Sequence, residues 1–263
     1  MLEIELPSYA QETIIRFIKE FVQDRRVVIG LSGGLDSSVV AKLCVMALGK
    51  DRVKGIHMPE DATPSEDSRD AETLAKTLEI EYEVIPIGEF VHAIAGKLGL
   101  KGDMSIANLK ARVRMAILYA IANEERRLVA GTSNKSELLV GYFTKYGDGA
   151  SDFAPIGDLY KTQVRILAKR IGIPEGIINK VPRAGLLPGQ SDEVEMGIKY
   201  EILDKILYGI ELGLPREKIV EELGISDTLV DKVYEMHNRS RHKRVMLYIP
   251  KIGARTVNTD WRE

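Results

Sequence analysis

Residues 32–38 read Ser-Gly-Gly-Leu-Asp-Ser-Ser and follow directly on the apolar run RVVIGL at 26–31. Two glycines, three hydroxyls and one carboxylate within seven positions suit one kind of chemistry. Gly33 and Gly34 carry no β-carbon, so an anion can approach the backbone N–H groups. A helix starting near Asp36 adds the unpaired N–H groups of its first turn and the positive end of its dipole. Ser32, Ser37 and Ser38 add hydroxyl donors. Together these groups cradle a phosphate. A glycine pair alone would indicate only a tight strand-to-helix turn, but the full seven-residue order favours phosphate. The chain has neither the G-x-x-x-x-G-K-[ST] of a Walker loop nor the G-x-G-x-x-G of a dinucleotide hydride enzyme.

Such a loop needs a strand before it and a helix after it, and that alternation runs on along the chain. Residues 8–23 place Ile14, Ile15, Phe17, Ile18, Phe21 and Val22 on one broad face of a helix. A buried strand is expected at 26–31, a helix closed by Gly49 at 37–49, and a second strand at 52–58. A polar loop at 59–70 enters a helix with Ser65 as its N-cap, and a third strand follows at 81–87. Residues 105–124 read as a long helix whose inner face carries Ile106, Leu109, Val113, Ala116, Ile117 and Ala120, before a fourth strand at 127–133.

Strands alternating with helices predict α/β architecture: a doubly wound parallel sheet with right-handed crossovers and ligands at the carboxyl ends of its strands. After residue 133 the strand pattern fades, and helices are expected at 158–171, 192–211, 215–223 and 226–243. The Gly-rich, aromatic segment 141–161 is long for a plain connection and is expected to be functional. With no repeat and no linker, the reading is one domain: an N-terminal helix (1–25), a nucleotide-binding core (26–133), and substrate loops with additional C-terminal helices (134–250). Segments 141–160 and 183–191 are expected to order around ligands, and no role is read for 256–263.

Composition narrows the function classes. Net charge is −2 from 37 basic and 39 acidic side chains, so no basic excess calls for nucleic acid. No run of about 18 apolar residues suggests a membrane span. The acid-bearing N-terminus does not resemble a signal peptide. A single cysteine, Cys44, fits a reducing cytoplasm, and its mid-helix apolar setting predicts core packing.

S-G-G-x-D-S resembles the pyrophosphate-binding loop of ATP-dependent adenylating enzymes, which split ATP between its α- and β-phosphates. The segment AGTSNKSELLVGYFTKYGDGASDFAPIGDLYK (130–161) resembles the signature of the ammonia-dependent NAD⁺ synthetase family. So do NLKARVRM (108–115), LPGQSDEVEMG (187–197) and RHKR (241–244). The resemblance covers nearly all the chain after its first helix. It implies a Rossmann-like fold and a C–N ligase that joins ammonia to nicotinic acid adenine dinucleotide (deamido-NAD) with ATP and Mg²⁺, giving NAD⁺, AMP and pyrophosphate.

The resemblance also implies residue roles. ATP contacts fall on Gly30, Leu31, Ser32, Gly33, Gly34, Leu35, Asp36, Ser37, Ser38, Thr132, Lys161 and Arg183. The magnesium carboxylates are Asp36 and Glu137, enough protein oxygen for a Mg²⁺ that also takes substrate phosphates. Deamido-NAD contacts fall on Arg112, Lys145, Asp152, His242 and Lys243. Asp36, Lys161 and Asp152 are the expected catalytic residues: Lys161 to neutralise the leaving pyrophosphate, Asp152 to steer or deprotonate ammonium. Arg183 departs from the family pattern, which has a small hydroxyl residue there. An arginine either reaches phosphate or points away. For the lysines a plain surface charge is the alternative, for Glu137 a solvated helix acid, and for His242 and Lys243 a basic helix end.

No glutaminase nucleophile is read from the residues, so free ammonia is the expected nitrogen donor. The family resemblance implies a homodimer with active sites at the subunit interface. Two rivals stand beside this reading: another ligase of the same loop class, which would want catalytic cysteines or an RNA-binding module, and a nucleotide-binding subunit without turnover, which would not want a metal clamp.

Overall fold

The computed structural model describes residues 2–61, 63–183, 185–186, 189, 191–245 and 247–257. In chain order the elements are α1 (Ala10–Val22), β1 (Arg26–Gly30), α2 (Leu35–Leu48), β2 (Val53–His57), α3 (Ser65–Leu78), β3 (Glu81–Val84), α4 (Gly88–Leu98), α5 (Asp103–Glu125) and β4 (Arg127–Ala130). They continue with α6 (Lys135–Val140), α7 (Lys161–Arg170), α8 (Glu175–Ile178), α9 (Asp192–Met196), α10 (Tyr200–Glu211), α11 (Arg216–Leu223), α12 (Asp227–Arg239) and α13 (Arg241–Arg244).

The four strands form one parallel sheet in the order β3-β2-β1-β4. Both faces are covered, so the strands are buried in alternation on two sides. Val27 and Ile29 of β1 join a core with Ile18 of α1, Val39 and Leu43 of α2 and Val164 of α7. Val28, between them, joins the opposite core with Val91 of α4 and Val113 of α5. The register fixes this division: Val27 lies opposite Val53 and Leu128, and Ile29 opposite Gly55 and Ala130. A slip of one residue would exchange the faces. The doubly wound parallel sheet expected from the sequence is therefore present.

The strand order also places the site. The chain moves outward from β1 through β2 to β3, then returns to the other side of β1 as β4. The connections leaving β1 and β4 part from each other, and a crevice opens at their carboxyl ends. A third core, with Tyr200, Leu203, Ile206, Ile219, Val230 and Val233, unites the C-terminal helices.

Several sequence expectations are corrected. β3 ends at Val84 and is followed by α4, a helix absent from the sequence reading. Pro64, in extended conformation, occupies the cap position before α3, so Ser65 is its first helical residue and not its N-cap. Only Val113 of the expected α5 inner face is buried; Ala116 and Ala120 are exposed, and Ala107, Ala111 and Ala122 are buried instead. The helix expected at 158–171 starts at Lys161, after a run of turns. The helix expected at 192–211 is two helices, because Gly197 adopts a left-handed φ of 62° and ends α9. The helix expected at 226–243 breaks at Ser240 into α12 and α13. Residues 141–160 form hydrogen-bonded turns, such as Gly147 N–H to the Thr144 carbonyl at 2.9 Å. In the other segment expected to order around ligands, residues 184, 187, 188 and 190 lie outside the described residues, as do 258–263 of the tail.

Candidate active site

The loop between β1 and α2 turns as its sequence requires. Gly33 has φ +80°, and a β-carbon there would lie 2.1 Å from the Asp67 carbonyl oxygen at the start of α3. Only glycine tolerates both conditions. The serines shape the loop from within. Ser38 Oγ donates to the Gly34 carbonyl at 2.7 Å, and Ser32 Oγ accepts from Gly34 N–H at 3.2 Å. Gly34 caps α2 without a side-chain partner for the first-turn N–H groups, which leaves the positive helix end open.

That end faces a cleft of about 280 Å³. Gly30, Leu31, Ser32, Gly34, Leu35, Asp36 and Ser37 line it, together with Thr132, Glu137, Lys161 and Arg183. Gly33 and Ser38 are buried and hold the loop's shape. Of the ATP candidates, eleven of the thirteen counted with Glu137 thus converge from the end of β1, the turn into α2 and its first residues, the end of β4, α6, α7 and the segment after α8.

At the floor of the cleft the Lys161 ammonium pairs with the Asp36 carboxylate and stands 3.4 Å from Glu137 Oε1. Local structure fixes each partner. Asn134 and Glu137 form a reciprocal cap at the start of α6: Glu137 N–H donates to Asn134 Oδ1 at 3.0 Å, and Asn134 N–H donates to Glu137 Oε2 at 3.3 Å. The Asn134 amide also donates to Asp36 Oδ1 at 3.4 Å. Lys161 opens α7, its N–H donating to Ser136 Oγ at 2.9 Å, and Asp204 accepts from that hydroxyl and from Thr162 N–H. The Lys161 side chain is only 4% exposed. Burial opposes its charge, but Asp36 and Glu137 outweigh that and raise its pKa. Burial pushes the Glu137 carboxyl up, to about 8, against the pull of Lys161 and with the help of Asp36.

Arg183 is exposed at the rim of the cleft but is not free of a partner. Its guanidinium donates to Asp67 Oδ1 at 2.8 Å. Lys180 Nζ shares that oxygen at 2.8 Å, pairs with Asp70, and donates to the Gly33 carbonyl at 3.0 Å. The departure from the family pattern at Arg183 thus has a partner, a buried aspartate beside the glycine loop.

The deamido-NAD candidates do not line this cleft, but four of them gather in a second cluster. Arg112 of α5 donates to the Lys145 carbonyl at 3.3 Å, and Lys145 Nζ donates to the His242 carbonyl at 2.7 Å. Lys243 Nζ donates to the carbonyls of Gly141 and Phe143 at 2.6 and 2.7 Å. Asp152 stands apart on the β4 edge, where its carboxylate accepts from Val129 N–H at 2.7 Å and from the Tyr119 hydroxyl at 3.4 Å. Cys44 is buried, as its pattern predicted, and burial pushes its thiol up to about 12.

Sequence reasoning missed Lys180, Asn134 and Asp192. Asn134 carried a signal, since N-x-x-E before an apolar run marks a capping box. Lys180 had no local signal; its partners Gly33, Asp67 and Asp70 lie more than a hundred residues away in the chain. Asp192 sits in the quoted LPGQSDEVEMG segment, but nothing in its immediate sequence says that it is buried.

The model of the NAD synthase family matches residues 10–247. An NH₃-dependent NAD⁺ synthetase of Methanosarcina mazei is 47% identical over 92% of this chain and 98% of its own length. Among solved structures, the NH₃-dependent NAD synthetase of Campylobacter jejuni, in complex with nitrate, superposes with a TM-score of 0.80 at 32% identity, covering 95% of this chain and 100% of its own. The NMN synthetase of Francisella tularensis superposes with a TM-score of 0.83 at 33% identity over the same shares. Glycine loop, carboxylate pair and buried lysine lie at the switch point of a parallel sheet, in a chain matched by that family model over nearly its whole length: the chain belongs to the NAD synthase family and is a ligase.

Proposed function

We propose that the chain amidates deamido-NAD with ammonia at the expense of ATP, releasing NAD⁺, AMP and pyrophosphate. The observation that carries this reading is the Asp36–Lys161–Glu137 cluster facing the open N-terminus of α2. A buried ammonium already lies between Asp36 and Glu137, so the place between them favours a cation. Both donors are hard carboxylate oxygens, as Mg²⁺ prefers. When bound there, Mg²⁺ supplies charge neutralisation to the phosphates.

The chain's own groups then have distinct tasks. The loop amides and the α2 N-terminus hold the β- and γ-phosphates, and Thr132 borders the nucleotide. The nicotinate carboxylate attacks the α-phosphorus in line, forming a P–O bond as the bond to pyrophosphate breaks. Lys161 offsets the charge that develops on the leaving oxygen. Ammonia attacks the acyl carbon of the adenylate, AMP departs with its bonding pair, and a proton leaves the nitrogen. Water exclusion protects the mixed anhydride. Arg112, Lys145, His242 and Lys243 bind the dinucleotide. Arg183, now on Asp67, lies at the cleft wall within the ATP site. Asp152 is assigned to the ammonium step, at the edge of β4.

A homodimer fits the exposed apolar stripe of Phe90, Ile94 and Leu98 on α4, which continues to Met104 on α5. A monomer that kept full activity at micromolar concentration would contradict it. No described helix is long and apolar enough to cross a membrane; a cytoplasmic setting fits the single buried thiol.

The likeness to an NMN synthetase supports a second acceptor, the mononucleotide acid that corresponds to NMN. One assay separates the readings: pyrophosphate release with ATP, Mg²⁺ and ammonium, adding deamido-NAD or nicotinic acid mononucleotide and omitting each component in turn. Deamido-NAD is expected to be the better acceptor. Release without any acid acceptor would defeat the proposal.

A further inference from the structure

Asp192 opens α9 and borders the same cleft. The residue is 4% exposed. One of its oxygens, Oδ1, is buried without a hydrogen-bond partner among the described residues. The other accepts from the Tyr200 hydroxyl at 3.3 Å. A buried carboxylate oxygen left unpaired is costly, and such an atom in a native site calls for a partner that arrives in another state.

The Lys161 ammonium is a candidate with a reason to move. It lies 5.3 Å from the centroid of the Tyr200 ring, and that ring ends in the hydroxyl held by Asp192. One aromatic side chain therefore links the present position of the ammonium to the free oxygen. The ammonium now fills the place between Asp36 and Glu137. A divalent cation cannot share that place, because two positive charges a few ångströms apart in a poorly solvated site repel strongly. Among the described residues no three acidic or imidazole side chains already converge as a metal cage. That favours Asp192 as a partner for the lysine over Asp192 as a third direct ligand.

We propose that Asp192 is a positioning residue: it receives the Lys161 ammonium when a divalent cation takes Asp36 and Glu137. The exchange keeps the lysine charged, buried and beside the cleft, instead of expelling it to solvent. The proposal rests on the assignment of Asp36 and Glu137 to Mg²⁺.

The test is a double-mutant cycle read by Mn²⁺ binding to the nucleotide-free, full-length protein, using electron paramagnetic resonance of free Mn²⁺. Asp192→Asn is expected to weaken Mn²⁺ by about ten-fold, the usual size of an outer-sphere effect. Lys161→Met, which removes the competing ammonium, is expected to tighten it. In the Lys161→Met background Asp192→Asn is expected to change nothing, because its effect passes through the lysine. Near-UV circular dichroism reports folding, and Asp192→Ser replaces the asparagine variant if that does not fold. Equal weakening in both backgrounds would make Asp192 a direct ligand and overturn the proposal, as would unchanged affinity in Asp192→Asn. A wild-type protein that binds no Mn²⁺ would instead remove the Asp36–Glu137 assignment beneath it.

Discussion

Two clusters of charge face different problems in this molecule. Around Lys161, side chains of opposite sign meet each other: Asp36 and Glu137 flank one buried ammonium, and Asn134, Ser136 and Asp204 fix the frame. Around Arg112 the basic side chains meet backbone carbonyls. Arg112, Lys145 and Lys243 donate to carbonyl oxygens, and Arg244 donates to those of Leu138, Leu139 and His237. Among the described residues none of these four is in an ion pair. A carbonyl orients a cation but leaves its charge uncancelled. The first cluster thus offers two carboxyl groups that suit a cation, and the second keeps positive charge that suits the phosphates of a dinucleotide.

The sharpest way to break this division is to remove the shared lysine of the first cluster. Lys161→Met should lower the rate of pyrophosphate release by about 10²–10³-fold, the usual loss for one preorganised charge at a developing anion. The KM for deamido-NAD should hardly move. A loss confined to KM would erase the distinction between the clusters.

The second cluster should respond in the opposite sense. Arg112→Ala should raise the KM for deamido-NAD by about ten-fold, as expected for one charge-assisted contact, and leave the KM for ATP near its wild-type value. Steady-state kinetics with each substrate varied in turn checks this. An equal rise for both substrates would mean that the clusters act as one site.

The frame of the first cluster can be separated from its charges. Gly33→Ala should destabilise the fold by about 1–3 kcal/mol, because it adds a steric conflict to an unfavourable φ. Gly99, with φ +64° and open space around its Cα, is the control; Gly99→Ala should cost only about 1 kcal/mol, for the left-handed backbone alone. Denaturant titration compares the two.

A smaller effect tests the wall of the cleft. His57 lies under the loop, with Nδ1 2.9 Å from the Leu31 carbonyl and Nε2 2.9 Å from Ser68 Oγ. A carbonyl only accepts, so Nδ1 carries the proton and Nε2 accepts from Ser68. Burial lowers the His57 pKa, against the Leu31 contact. The unfolded chain then binds a proton that the folded chain refuses. Stability from this group is present above the unfolded value of about 6.5 and is lost as pH falls from there towards the folded value. Melting temperatures from pH 8 to pH 5 should fall less steeply in His57→Gln than in the wild type.

The two clusters also differ in how far the sequence revealed them. The shape of the glycine loop was legible because local rules govern it: a strand, a left-handed glycine and a helix start occupy consecutive residues. The parallel α/β class was legible from apolar runs alternating with helical patterns; the strand order was not, because it depends on pairings between distant segments. Helix α4 escaped because its apolar residues Phe90, Ile94 and Leu98 are exposed, so the stripe marks no buried face of this chain. The break at Gly197 escaped because a lone glycine in a helical pattern either ends a helix or passes through it. Glu137 and Lys161 were reached by resemblance; their meeting depends on α6 and α7 packing against the start of α2, contacts that span 24 to 125 residues of chain. Lys180 and Asp192 were missed for the same reason, since their partners are distant and their neighbours in sequence are ordinary. Arg183 shows the limit of transfer by resemblance: the residue was unusual, and only the fold revealed Asp67 as its partner.

Isotope exchange between labelled pyrophosphate and ATP, measured with deamido-NAD and Mg²⁺ but no ammonium, tests the central claim most directly. The account predicts exchange that requires deamido-NAD and disappears in Lys161→Met. Exchange that proceeds without deamido-NAD, or none at all in a folded and nucleotide-bound wild-type protein, would contradict it.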